Sequence, residues 1–213
     1  VALAWNCVLM LVLLAYLHHL YMDFVQPPIV QYIGQVASYM ISLPAAVVTI
    51  FGALTLMFHA KVRWTLASTF FFLGLLGWAI GGIAAVIDAT IAVNLKFHNT
   101  LWVPAHFHTY MLLGLMLMIL GYFYHYLQEA SQAAENHTLH KVLTGLVMVG
   151  GYGFLLMFYL AGAASVPRRF AVYPLEVAHG SGFALAAAGF VAVFLVGLAL
   201  YVSETAKCWV KAA

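Results

Sequence analysis

Apolar positions run along the chain in six long stretches separated by short polar breaks: Val1–Leu17, Ile29–Phe58, Trp64–Ile87, Leu101–Leu127, Leu139–Ala163 and Val177–Val202. A helix needs about 20 apolar residues to cross a hydrocarbon layer about 30 Å thick. The pattern therefore predicts an all-α integral membrane protein, a single transmembrane domain over residues 1–213 with six spanning helices. The first stretch is short and opens on Val1 rather than Met, already inside an apolar run, so further sequence upstream or a separate preceding chain is expected. The second is long and holds Pro44, which removes a backbone donor and can kink a helix. Small residues such as Gly74, Gly77, Gly81, Gly82, Gly150, Gly151 and Gly153 allow close helix–helix approach. Neither strand alternation nor a heptad repeat is present.

Composition supports the same class. The 213 residues are 66% hydrophobic and 7% charged, against roughly 45–50% apolar and about 25% charged in soluble domains. Eight Lys and Arg against six Asp and Glu give a net charge of +2, with no basic stripe for nucleic acid. Cys7 and Cys208 lie near opposite ends, so neither a disulfide nor a cysteine metal site is expected. Loops alternate between two sides. One receives His18–Pro28, Asp88–Thr100 and Ala164–Glu176, with Lys96, Arg168 and Arg169; the other carries Lys61, Arg63, Lys141, Lys207 and Lys211. Five basic residues against three place the second side, with the C-terminus, in the cytoplasm.

Ten histidines remain to be explained, and histidine inside lipid is costly and usually functional. His106 and His108, in Pro104-Ala105-His106-Phe107-His108, fall about one turn inside the fourth span. Residues two apart on an α-helix point about 200° apart. The pair cannot chelate one metal, but it can offer one imidazole to each of two neighbours, and imidazole is a standard axial ligand of haem iron. The competing reading is two buried histidines bonded to carbonyls of adjacent helices. His18 and His19 follow the first span; they can converge on one metal, such as copper, iron or zinc, only where the backbone turns, or else form an interfacial pair. His98 and Asn99 lie eight and seven residues before His106. Arg168 and Arg169 are either interface residues or a carboxylate-binding pair. His59, His125, His137 and His140 read as solvated or interfacial, and His179 is ambiguous.

Phe97-His98-Asn99-Thr100-Leu101-Trp102-Val103-Pro104-Ala105-His106-Phe107-His108 resembles the tenth-helix motif of haem–copper oxygen reductase subunit I, closest to the B-type, ba3-like branch. His18-His19 and the following span with Leu43-Pro44 resemble that family's copper-ligand pair and eighth helix. Gly81-Gly82 resembles the ninth helix, and Val166-Pro167-Arg168-Arg169 the propionate-binding segment before the twelfth. The resemblance covers helices seven to twelve, the C-terminal half of a twelve-helix bundle. It implies His106 as the ligand of the high-spin haem iron, His108 as a ligand of the low-spin haem iron, and His18 and His19 as two ligands of copper B. It further implies His98, Asn99, Arg168 and Arg169 beside the haem propionates, with haems of a or b type. The third copper histidine and the other low-spin ligand belong to the absent half. The eighth-helix lysine of A-type enzymes would fall near Val48 and is missing; Gln35, Ser38, Tyr39, Ser42 and Thr49 are the alternative proton path, unless these groups bond neighbouring helices.

The resemblance thus implies the catalytic core of a respiratory terminal oxidase, reducing O2 to water with proton translocation across a bacterial or archaeal plasma membrane. The haem–copper site would lie toward the outer side. Its partners would be the N-terminal half of subunit I, subunit II, and cytochrome c or quinol as donor. A nitric oxide reductase of the same superfamily is the nearest rival, but there HGH is usual where this chain has His106-Phe107-His108. A di-haem cytochrome b subunit would need histidine pairs shared between two helices, and a transporter with structural histidines would bind no haem.

Overall fold

The computed structural model describes residues 2–23 and 25–212; Val1, the first residue of the first predicted span, and Ala213, the last of the predicted domain, lie outside the described residues. Six helices are long and apolar enough to cross a membrane: α1 (Ala2–Leu20), α2 (Pro28–His59), α3 (Leu66–Ala89), α5 (Trp102–Ser131), α6 (His137–Ala163) and α7 (Gly180–Lys211). A short α4 (Ile91–Phe97) sits between α3 and α5. Among the described residues there is no strand, only one isolated bridge between Thr100 and Pro167.

Helix ends follow local chemistry. Thr65 and Ser68 form a reciprocal capping box at the start of α3, each side chain taking the other's backbone N–H, at 3.1 and 2.8 Å. Asn136 caps α6 by accepting from Leu139 N at 3.1 Å. Gln132, in the left-handed region at φ 49°, stops α5. Two helices loosen internally. In α2, Val47–Phe51 forms a π-helical stretch three residues after Pro44, and in α5 Thr109–Met116 does so directly after His108. Such widening is frequent at functional sites.

Neighbours largely follow chain order: α1 lies on α2, α2 on α3, α3 on α5, and α5 meets both α6 and α7, which pack along each other. The core runs through the last four of these, with Phe70, Leu113, Leu117, Leu143 and Val147 essentially inaccessible. By contrast α1 and α2 leave Leu3, Leu9, Leu13, Leu43 and Phe51 exposed, as lipid-facing or partner-facing helices do. Glycines set the closest contacts. A Cβ on Gly77 would lie 2.5 Å from the Leu113 carbonyl carbon and 2.9 Å from Gly114 N, so α3 could not keep its place on α5. Gly77→Leu is expected to destabilise the protein by about 1–3 kcal/mol through overpacking. Gly145→Leu, in open space, should leave the melting temperature unchanged; thermal unfolding in detergent compares the two.

Two local expectations need correction. Asp88, read as the first residue of a loop, is buried in the last turn of α3. The rest of that segment is not a plain loop, because Ile91–Phe97 forms the short helix α4. The Asn94 side chain in α4 donates to the Asp88 carbonyl at 2.8 Å, joining the two helices at their junction.

Candidate functional site

The first helix does not end before His18. Its last residues, Tyr16–Leu20, tighten into a 3-10 helix. A tighter winding turns each residue by about 120° instead of 100°, yet His18 and His19 keep ring centroids 4.2 Å apart. His18 Nδ1 is hydrogen-bonded to Ser38 Oγ at 2.9 Å, and that hydroxyl donates to the Gly34 carbonyl at 2.6 Å. Helix α2 therefore fixes one imidazole and leaves its Nε2 free. Histidines that bind metals almost always engage their other ring nitrogen in this way.

His106 and His108 sit at the C-terminal end of the α-helical first part of α5, just before its π-helical stretch. Their rings meet different surroundings. His106 is buried; its ring lies edge-to-face with Tyr110, centroids 5.2 Å apart, and Tyr110 in turn covers Gly81 of α3. His108 faces α6, where Phe154 lies 6.1 Å away, ring edge to face. Its Nδ1 pairs with the Pro104 carbonyl at 2.6 Å, again leaving Nε2 free. His106 Nδ1 is buried without a hydrogen bond of good geometry, and the Gly81 backbone of α3 lies within reach of the ring. The buried His106 imidazole and the free Nε2 of His18 and of His108 fit imidazole-ligated metal cofactors. Among the described residues no three His, Cys, Asp or Glu side chains come together as a metal site, so His18 and His19 stand as a two-ligand pair.

Three loops close this end of the bundle. His98 Nε2 lies 3.7 Å from Asp23 Oδ1, linking the α4–α5 turn to the loop after α1. Arg168 donates through Nε and a terminal nitrogen to Asn99 Oδ1, at 3.3 and 3.0 Å. Backbone bonds from Arg168 N to Asn99 O and from Leu101 N to Val166 O, both 2.9 Å, clamp the same two loops. Asn99, Ser165 and Arg169 all hold positive φ of 60–70°, the left-handed conformation that tight turns require. Partial burial, and Arg169 beside it, pull Arg168 below the ordinary arginine pKa, against the opposing fields of Asp23 and Asp88; the guanidinium nevertheless stays charged. Arg169 is exposed. Burial pushes the Tyr21 hydroxyl up to about 12.

Three side chains of the polar stripe on α2 are bonded to neighbouring segments. Besides Ser38, Gln35 Oε1 accepts from Ile91 N at 2.9 Å, and the Tyr39 hydroxyl pairs with Thr90 Oγ1 at 2.6 Å. Ser42 folds back onto the Tyr39 carbonyl at 2.5 Å, and Thr49 lies in the π-helical stretch. Sequence reasoning passed over Asp23, Asp88 and Asn94. The available signal for Asp88 was a carboxyl at the very edge of an apolar run. His179 lies apart from the paired histidines, near the Ala164 carbonyl at 3.3 Å. His140 contradicts its reading as solvated or interfacial, being buried against Tyr124 and Glu204.

Comparison with known proteins adds the following. The family described as Cytochrome C and Quinol oxidase polypeptide I matches residues 1–196. Cytochrome c oxidase polypeptide 1 of Halobacterium salinarum is 28% identical over 197 residues, 90% of this chain and 32% of that protein. Cytochrome c oxidase subunit 1 of Thermus thermophilus is 30% identical over 100 residues, 46% of this chain and 18% of that protein. A solved structure of a heme-copper terminal oxidase dimer superposes with a TM-score of 0.78 at 22% identity, over 92% of this chain and 39% of that one. The chain thus spans about a third or less of the length of these curated relatives.

Proposed function

Since the chain belongs to the Cytochrome C and Quinol oxidase polypeptide I family, haem–copper oxidase subunit I, we propose that it is the C-terminal half of such a subunit, of the B-type, and carries most of the oxygen-reducing site. His106 would hold the high-spin haem iron, His108 the low-spin haem iron, and His18 and His19 copper B. When bound, these metals supply the electrons and the open coordination positions for reduction of O2 to water. The observation that carries the reading is the pair on α5: two imidazoles two residues apart, one toward Tyr110 and one toward Phe154.

The chain's own residues then have definite tasks. Ser38 and the Pro104 carbonyl orient His18 and His108 so that Nε2 of each is presented. Arg168, held by Asn99, and Arg169 supply the cationic side chains for haem propionates, with His98 beside them; paired guanidinium–carboxylate contacts are strong and directional. Gln35, Ser38, Tyr39, Ser42 and Thr49 would serve with waters as a proton path along α2, although most of their hydrogen bonds are already committed between helices. The remaining ligands, the third copper ligand among them, would come from the N-terminal half of subunit I, with subunit II and cytochrome c or quinol as further partners. Proton translocation, and a site facing the outer side with a cytoplasmic C-terminus, complete the reading. Metal analysis of the assembled complex tests it. Two haems and one copper per complex are expected; non-haem iron in place of copper would make the protein a nitric oxide reductase, and no haem would refute the assignment.

A further inference from the structure

A second buried polar cluster lies at the far end of α5. His106 and Tyr124 are 18 residues apart, roughly 27 Å at the 1.5 Å rise of an α-helix. There three helices bring one titratable group each. The Tyr124 hydroxyl of α5 pairs with His140 Nε2 of α6 at 3.0 Å. Glu204 Oε1 of α7 lies 3.9 Å from the same Nε2. The His140 and Glu204 side chains are only 7% and 10% exposed. Their other surroundings are also ionisable. Lys207 Nζ reaches Glu204 Oε2 at 3.4 Å, His137 Nδ1 lies 3.7 Å from Glu135 Oε2, and Tyr201 and Cys208 are buried alongside.

Two atoms here have no partner: His140 Nδ1 and Glu135 Oε1. Buried polar atoms are usually satisfied, so such orphans call for an explanation. Glu135 and His137 also line a cleft of about 710 Å³, together with Arg63, Ser68, His125 and Glu129. None of Tyr124, His140 and Glu204 lines the cleft, but His140 lies within electrostatic reach of Glu135 and His137, which do. Ionisable residues inside a membrane protein commonly mark proton relays.

We propose that Tyr124, His140 and Glu204 form a proton-binding site, filled through the cleft at Glu135 and His137, that takes up protons at the end of the bundle opposite the paired histidines. The exchange balances at one atom. With neutral His140, the Tyr124 hydroxyl donates to Nε2. When a proton arrives on Nε2, that nitrogen becomes the donor, the Tyr124 oxygen can accept, and the new positive charge faces the Glu204 carboxylate. Release reverses these roles, the proton leaving Nε2 for water, with no electron moved. Use of these protons in oxygen reduction rests on the proposed function.

The test is an infrared pH titration of the purified, assembled membrane complex in H2O and D2O, with ring-labelled histidine. In the wild type, titration of an imidazole should shift a carboxylate band with the same midpoint, since the charge on His140 faces Glu204. The joint signal should vanish in Glu204→Gln and His140→Gln, and its midpoint should move in Tyr124→Phe, the mildest change should the other two fail to fold. A wild-type spectrum without this signal, or the same signal in Glu204→Gln, overturns the site. Oxygen consumption of Glu204→Gln should fall at least tenfold at high pH, where protons are scarce, and less at low pH. A pH profile identical to wild type overturns the uptake role even where the infrared signal is present. The titration needs no turnover, so a wild-type complex that binds the proton yet consumes no oxygen would refute the oxidase reading and leave the proton site standing.

Discussion

His106→Ala in the assembled complex is expected to abolish carbon monoxide binding by the reduced protein and to lower oxygen consumption at least about 100-fold. Changes to residues that merely support a metal ligand already cost about 10–100-fold, and loss of the ligand itself should cost more. His106 is buried and in contact with Tyr110. His108→Ala should behave differently. The ring faces Phe154, so its loss should remove the low-spin haem signal while carbon monoxide binding at the other haem persists. Optical spectra of the two reduced variants, with and without carbon monoxide, separate the outcomes. Identical spectra for both would contradict the division of labour between the two imidazoles.

The second large effect falls on the pair in the last turn of α1. His19→Ala should empty the complex of copper and lower oxygen consumption by a similar factor, with both haem spectra retained. On the proposed assignment copper would rest on few ligands, two of them the adjacent imidazoles of His18 and His19, with ring centroids 4.2 Å apart. Ser38→Ala should be milder. It removes the hydrogen bond to His18 Nδ1 but leaves the ring, so a loss of about 10–100-fold in copper affinity is expected, the range for supporting groups. Copper content by atomic emission, read beside the haem spectra, checks both variants. Copper retained at full occupancy in His19→Ala would contradict the assignment.

Much of this architecture is written in the chain because lipid leaves so few options. Backbone polar groups must be satisfied within each crossing segment, so six apolar stretches of spanning length become six helices. The separation of His106 from His108 follows from helical geometry alone. Other features depend on which residues meet across the fold. Nothing local announces that Tyr16–Leu20 winds as a 3-10 helix. Asn99 and Arg168, 69 residues apart, are joined only when two loops meet. His140 looks like an interfacial residue at the start of an apolar run; its burial follows from α7 carrying Glu204 alongside α6. Asp88 is hidden for a similar reason, since α3 ends two residues beyond Ile87, where the apolar stretch is expected to stop, and Asn94 of α4 bonds to the Asp88 carbonyl.

An experimental density map of the complex isolated with its cofactors tests the central claim most directly. The account predicts one porphyrin iron ligated by the imidazole at position 106 and a second, on another side of the same helix, ligated by the imidazole at position 108. A map with either ring packed solely among side chains, and no porphyrin against it, would contradict the account.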